Sequence, residues 1–221
     1  MPTLEHDDDV LVLDLGDNEN RFHPDWLASI GALLDQVRQA DGPRALVLAA
    51  TGKFFSNGLD LEWVLAHPDR VAEYVASVQD LLGTVLELPC VTVAAIQGHA
   101  FAAGAMLTLA CDFRVMRADR GYWCLPEVDI QIPFTPGMNA LIRARLTPQT
   151  AHRAMTTAHR FDAGTALAAG VVDQVADEQE VRSTALALAR AQAGKAGATL
   201  GTIKQRLYGE VLDTLRAKGA L

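Results

Sequence analysis

The stretch from Val91 to Asp112, V-T-V-A-A-I-Q-G-H-A-F-A-A-G-A-M-L-T-L-A-C-D, constrains this chain more than any other. It opens as an apolar strand, Val91 to Ile96, of the kind buried on both faces. It passes through a small-residue turn, Gly98 to Ala103, and becomes an apolar helix over about Ala103 to Ala110, with Asp112 following. A strand that runs through such a turn into a helix aims free backbone N–H groups at whatever sits at the helix start. Glycine and alanine there let a ligand approach the backbone closely, so the junction can hold a developing negative charge. Taken alone, the stretch is more simply a core strand and a core helix joined by a tight turn.

A strand buried on both faces needs layers on either side of it. The rest of the chain supplies them. Strands are expected at Val10 to Leu15, Ala45 to Ala50, Phe113 to Ala118, within Gly121 to Asp129, and at Val171 to Val175. Helices are expected at Pro24 to Ala40, where Trp26, Leu27, Ile30, Leu34 and Val37 recur at helical spacing, and at Asp69 to Leu88. A short helix follows from Glu62 to Leu65. Further helices are expected at Pro136 to Leu146, Thr147 to Thr157, Asp162 to Ala169, Asp177 to Ala193 and Thr199 to Lys218, with a hinge at Gly194 to Gly197. Asp7, Asp8 and Asp9 read as a charged, frayed N-terminus. Strand–helix alternation followed by a helical last third predicts an α/β fold with parallel, buried strands. The chain has 221 residues, half of them hydrophobic, and shows no linker or repeat that would divide it, so one domain is expected.

Charge and cysteine usage exclude several classes. The net charge is -8 and there is no basic run, which disfavours a nucleic-acid partner. Cys90, Cys111 and Cys124 are odd in number and sit among apolar neighbours, so they read as reduced core thiols of a cytoplasmic protein. No apolar run reaches membrane-spanning length, no apolar segment resembling a signal peptide opens the chain, and Lys218-Gly219-Ala220-Leu221 is not an S-K-L signal. Scattered histidines without H-E-x-x-H give no metal site, and neither a G-x-G-x-x-G nor a P-loop pattern is present. His99 reads as a packed loop histidine.

Two loops then stand out. Each follows an apolar strand and each brings small residues to a turn: Ser56-Asn57-Gly58-Leu59 and Ala102-Ala103-Gly104. If they meet, one N–H from each can bind a single oxyanion, an arrangement in which each donor is worth roughly 10²–10³ in rate. Glu127, among Leu125, Pro126 and Val128, supplies an acid–base group whose pKa burial would raise, though a surface or salt-bridged glutamate reads equally well from the sequence.

F-S-N-G-L-D-L (Phe55 to Leu61), G-H-A-F-A-A-G-A (Gly98 to Ala105) with C-D-F-R (Cys111 to Arg114), and L-P-E-V-D (Leu125 to Asp129) resemble the crotonase, or enoyl-CoA hydratase/isomerase, superfamily in order and spacing. N-R-F (Asn20 to Phe22) and the A-x-x-x-G-V-V-D run ending at Asp173 fit as well. The resemblance implies a spiral of ββα units over about residues 1–145 and a helical segment over about 146–221 that packs chains into a trimer or a dimer of trimers. It implies an acyl-CoA thioester as substrate, with coenzyme A arriving as part of it and no separate cofactor. It places the oxyanion-binding N–H groups on Leu59 and Ala103, the latter where glycine is common. Hydratases of the family carry two glutamates around a water; the first falls here on Met106 and the second on Glu127. A methionine cannot orient or deprotonate water. One base is enough to move a proton from C2 of a 3-enoyl thioester to C4, as the family's Δ3,Δ2-enoyl-CoA isomerases do. Isomerisation is therefore expected, in fatty-acid β-oxidation by default. Ser56, Asn57, Gly58, Asp60, Leu61 and Met106 would line the acyl-CoA site, with Arg21 near the CoA phosphates and Lys204 and Arg206 as further candidates there. The alternatives are hydratase or thioesterase chemistry on the same fold, or a non-catalytic acyl-CoA-binding relative.

Overall fold

The computed structural model describes residues 1–217. Two strands, Thr3–Asp7 (β1) and Val10–Asp14 (β2), lead into the helix Pro24–Gln39 (α1). Three similar units follow. The first is Ala45–Ala49 (β3), Phe54–Ser56 (β4) and the helices Leu61–Ala66 (α2) and Val71–Glu87 (α3). The second is Val91–Ile96 (β5), His99–Phe101 (β6) and Ala103–Ala110 (α4). The third is Phe113–Arg117 (β7), Trp123–Cys124 (β8) and Pro136–Arg145 (α5). Pro148–Thr157 (α6), Ala163–Ala168 (α7), Gln174–Ala176 (β9), Val181–Arg190 (α8), Ala198–Leu207 (α9) and Gly209–Leu215 (α10) complete the described chain.

Among the described residues the strands form two sheets. The large one runs β1-β2-β3-β5-β7-β9 and the small one β4-β6-β8. Each unit thus gives its first strand to the large sheet, its second to the small sheet, and then a helix, which is the expected spiral of ββα units. All pairings are parallel except β1 with β2. Alternate side chains of the large sheet serve two cores, as a strand period of two requires. Leu11, Leu13, Leu46 and Leu48 join the main core beneath α1, α3 and α4, while Val10, Val12, Val47 and Val115 pack with Val181, Ala185 and Ala189 of α8. All eight residues of α4 are buried, so the Val91–Asp112 stretch does run through the centre.

Several expectations are corrected. Asp7 to Asp9 are not frayed: Asp8 takes φ +53° and closes a hairpin, and Glu5 and Asp7 pair with Arg182 and Arg190 of α8. Two expected loops contain the short strands β4 and β6, too brief for an alternating pattern to reveal. Val171 and Val172 are buried outside any strand, and the last strand begins three residues later, at Gln174, after Asp173 has turned to pair with Arg114. The expected final helix is two, broken at Tyr208, whose hydroxyl accepts from Arg145 on α5. Lys218 and the Lys218 to Leu221 tetrapeptide lie outside the described residues.

Lys204, read as a candidate for coenzyme A phosphates, is 4% exposed and faces inward. Its ammonium donates to the Cys90 carbonyl at 2.8 Å and to the Asp112 carboxylate at 2.6 Å. It ties α9 to both ends of the β5–α4 stretch. Lys204→Met keeps the stem and leaves a half-buried carboxylate short of a partner, so unfolding in urea should show a loss of about 2 kcal/mol. An unchanged midpoint would show that the pair contributes nothing net. Among the described residues no helix is long and apolar enough to cross a membrane.

Candidate active site

Because β4, β6 and β8 are parallel, the segments that follow them leave the same edge of the small sheet. These are Asn57 to Asp60, Ala102 with the start of α4, and Leu125 to Glu127. A crevice at the carboxyl ends of parallel strands is where open α/β folds bind ligands. Here it is a cavity of about 290 Å³.

The first two segments touch through their backbones. Gly58 has φ +79°, and a methyl placed on it would lie 2.9 Å from the Ala103 nitrogen and 3.0 Å from the Phe101 oxygen. One residue on from Ala103, a methyl on Gly104 would lie 2.6 Å from the Ser56 carbonyl oxygen and 2.7 Å from its Cβ. Only glycine at both positions allows this approach. Leu59 and Ala103 are thereby brought to the wall of one cavity. Neither the Leu59 nor the Ala103 N–H has a backbone acceptor among the described residues, and Ala103, as the first residue of α4, has none within its own helix.

Ala102 makes the turn between β6 and α4 at φ +50° and ψ -127°. This backbone region suits glycine, and an alanine in it carries strain on the order of 1–3 kcal/mol. Two hydrogen bonds hold it: its N–H donates to the Cys124 carbonyl at 3.0 Å, and its carbonyl accepts from the Met106 N–H at 3.0 Å.

Glu127 is 6% exposed and lines the cavity. Its Oε2 is buried without a hydrogen-bond partner. Burial pushes the carboxyl from its ordinary 4.5 up to about 7. A carboxyl held near neutrality in an apolar cleft can both take and return a proton. Met106, 1% exposed, lies on the same helix face as Ala103 and also lines the cavity.

Ala103, Leu59, Glu127, Met106, Asn57, Leu61 and Arg21 all line this one cavity. Three other predicted site residues stand behind its wall. Ser56 is fully buried; its hydroxyl donates to the Asn20 carbonyl at 2.8 Å and accepts the Gly58 N–H at 3.1 Å. Gly58 is the contact between the loops. Asp60 caps α2 through Trp63 N–H, while its own N–H donates to the Tyr74 hydroxyl at 2.9 Å. Burial pushes that buried phenol up to about 12. Arg21 is engaged with Glu19 and Glu62, and the Asn57 amide donates to Glu19. Arg206 is exposed and away from the cavity lining. His99 is packed against Phe54, Phe101 and Tyr122, as expected.

Sequence reasoning missed the far wall. Ile130, Ile132, Pro133 and Met138 line the cavity from the turn after Glu127 and from α5. The segment has neither a helical nor a strand period, so no pattern marks it.

The profile of the enoyl-CoA hydratase/isomerase family matches residues 5–220. The chain is 36% identical to an Arabidopsis thaliana protein named enoyl-CoA delta isomerase 2, peroxisomal, over 97% of this chain and 95% of that one. A solved structure of a probable enoyl-CoA hydratase from Mycobacterium tuberculosis H37Rv superposes with TM-score 0.90 at 28% identity, covering 98% of this chain and 92% of the other. That of human mitochondrial delta3-delta2-enoyl-CoA isomerase gives TM-score 0.88 at 26% identity, covering 97% and 85%. With its ββα spiral and a match over nearly its whole length, the chain belongs to the enoyl-CoA hydratase/isomerase family and has the crotonase fold.

Proposed function

We propose that the protein is a Δ3,Δ2-enoyl-CoA isomerase. The observation that carries this reading is a single buried, unpartnered carboxyl, Glu127, sharing an otherwise largely apolar cavity with Met106. Glu62, the other carboxylate on the wall, is exposed and paired with Arg21. The similarity to relatives named as delta isomerases supports the same reading.

The thioester oxygen binds between the Leu59 and Ala103 N–H groups, at the positive end of α4. Glu127, ionised, takes a proton from C2 of the 3-enoyl thioester. The resulting dienolate carries its charge on that oxygen, where two N–H groups are already aimed and no reorganisation is needed. Glu127, now a neutral acid, returns the proton to C4, and the double bond is conjugated with the carbonyl. Hydration requires a second polar group to hold and orient water; Met106 offers none. The three buried, unpaired thiols suit a reducing compartment such as the cytoplasm. The helices from α6 onward are proposed to join chains into a trimer or a dimer of trimers.

The direct test supplies 3-enoyl-CoA and 2-enoyl-CoA separately. Conjugation of the first should proceed with a turnover in the ordinary enzyme range of about 1–10³ s⁻¹, and hydration of the second should be slower by a hundredfold or more. Rapid hydration without conjugation would replace this reading with a hydratase. Tight binding of both without turnover would replace it with a non-catalytic binding protein.

A further inference from the structure

The peptide unit that carries the Leu59 N–H is clamped on its far side. Its carbonyl, that of Gly58, accepts the Phe22 N–H at 2.8 Å. In a planar trans peptide the C=O and the following N–H point in opposite directions. A donor fixed on the Gly58 oxygen therefore turns the Leu59 N–H away from the Asn20–Phe22 loop and toward the cavity.

The preceding peptide is held as well. The Gly58 N–H donates to the Ser56 hydroxyl at 3.1 Å, and that hydroxyl donates its own proton to the Asn20 carbonyl at 2.8 Å. Both polar ends of Gly58, at φ +79°, are thus tied to one short loop, Asn20 to Phe22. That loop is itself anchored: the Asn20 amide donates to the carbonyls of Gly16, Phe54 and Phe55 at 3.0–3.3 Å. Ser56 is fully buried and lies outside the cavity lining, so it has no route to the substrate.

We propose that Ser56 is a positioning residue: its hydroxyl, bridging the Asn20 carbonyl and the Gly58 N–H, sets the direction of the Leu59 N–H in the oxyanion site. The proposal rests on the isomerase reading above. Its physical basis is that an oxyanion donor acts through direction as much as through presence. A hydrogen bond accepted at the Gly58 carbonyl also polarises the same peptide and strengthens its N–H as a donor. Without the Ser56 bridge, the Gly58 N–H is released, and Gly58 can turn between the Asn57 N–H bond to the Glu19 carbonyl and the Phe22 contact, both at 2.8 Å, carrying the Leu59 N–H off the line to the thioester oxygen.

The test compares the parent, Ser56→Ala and Ser56→Cys with a 3-enoyl-CoA. It adds infrared difference spectra of a bound saturated acyl-CoA labelled with carbon-13 at the thioester carbonyl. In the parent, hydrogen bonding should lower that carbonyl stretch relative to free ligand. In Ser56→Ala the shift should shrink, and kcat should fall by about 10- to 100-fold, less than the loss of a whole donor. KM should change less than threefold. Ser56→Cys keeps the shape and a weak donor and acceptor, and should fall between the two. A purely structural serine would lower the melting temperature while leaving the carbonyl shift and kcat at parent values, and that result overturns the proposal. If Ser56→Ala does not fold, the Cys variant decides alone: parent-like kcat and carbonyl shift overturn the proposal, and reduced values of both support it. A parent that does not isomerise 3-enoyl-CoA at all removes the isomerase reading instead, while the carbonyl shift still reports on Ser56.

Discussion

Replacing Glu127 by glutamine is expected to lower isomerisation by about 10³-fold while making the protein more stable above neutral pH. The two effects share one cause. Glu127 sits 6% exposed in an apolar wall, and burial raises its pKa from 4.5 to about 7. Between those values the folded protein holds a proton that the unfolded chain has released. Stability therefore falls as pH rises from about 4.5 to about 7, and the penalty is complete above 7. A shift of this size corresponds to about 3 kcal/mol. Glutamine resembles the protonated acid and never ionises, so Glu127→Gln should unfold at higher urea than the parent at pH 8 and at nearly the same urea near pH 5. In the parent, kcat/KM should rise about tenfold per pH unit below 7 and level off above it, since the ionised form is the base. A variant that retains full isomerase rate would remove Glu127 from the mechanism. One that is less stable at pH 8 would show that the carboxylate has a partner in solution.

Gly104→Ala is expected to cost both folding and catalysis. The added methyl would lie 2.6 Å from the Ser56 carbonyl oxygen and 2.7 Å from its side chain. A carbonyl within β4 cannot swing aside as the tip of a lysine can, so either α4 or β4 must move. Overpacking of this kind costs roughly 3 kcal/mol. For a chain of this length that is about 6–12 °C in melting temperature. The displacement separates the Leu59 and Ala103 N–H groups, and misplacement by about 1 Å costs on the order of 10² in rate. Calorimetry and the conjugation assay check the two parts independently. A melting temperature within 2 °C of the parent would mean that the loops are not held as close as described.

How much of this was legible in the sequence depended on length scale. The large sheet was legible because Val10 to Leu13, Ala45 to Ala49 and Val93 to Ile96 are continuous apolar runs, and burial on both faces leaves that signature. The meeting of the Gly58 and Ala103 loops was legible as a condition, since both follow buried strands and both carry small residues. What hid from the sequence was most of the small sheet. Phe54–Ser56 and His99–Phe101 are too short to show a period, and only a strand within Gly121 to Asp129 was expected, yet the parallel pairing of these two with Trp123–Cys124 is what brings the three loops to one edge. The role of Ser56 was hidden for a related reason. A serine in a glycine-containing loop looks like a ligand contact, and only the positions of Asn20 and Gly58 show that its hydroxyl turns inward. Lys204 misled in the opposite direction: a lysine on a C-terminal helix reads as exposed, while Asp112 and the Cys90 carbonyl draw it into the interior. Ile130 to Pro133 left no trace because that wall of the cavity is irregular chain.

The order of the large sheet also has a consequence in time. Its sixth strand, β9, pairs with β7 in the register Val115 with Gln174. Roughly sixty residues, β8 and three helices among them, separate the two. During synthesis at about 5–20 residues per second, β7 therefore waits about 3–12 s for the strand that covers its edge. Throughout that interval the nascent chain presents an unpaired parallel edge with Val115 and Met116 upon it, the kind of edge to which other chains add. In the native protein β9 covers this edge from Val115 to Arg117; in the ribosome-bound chain those three residues wait unpaired.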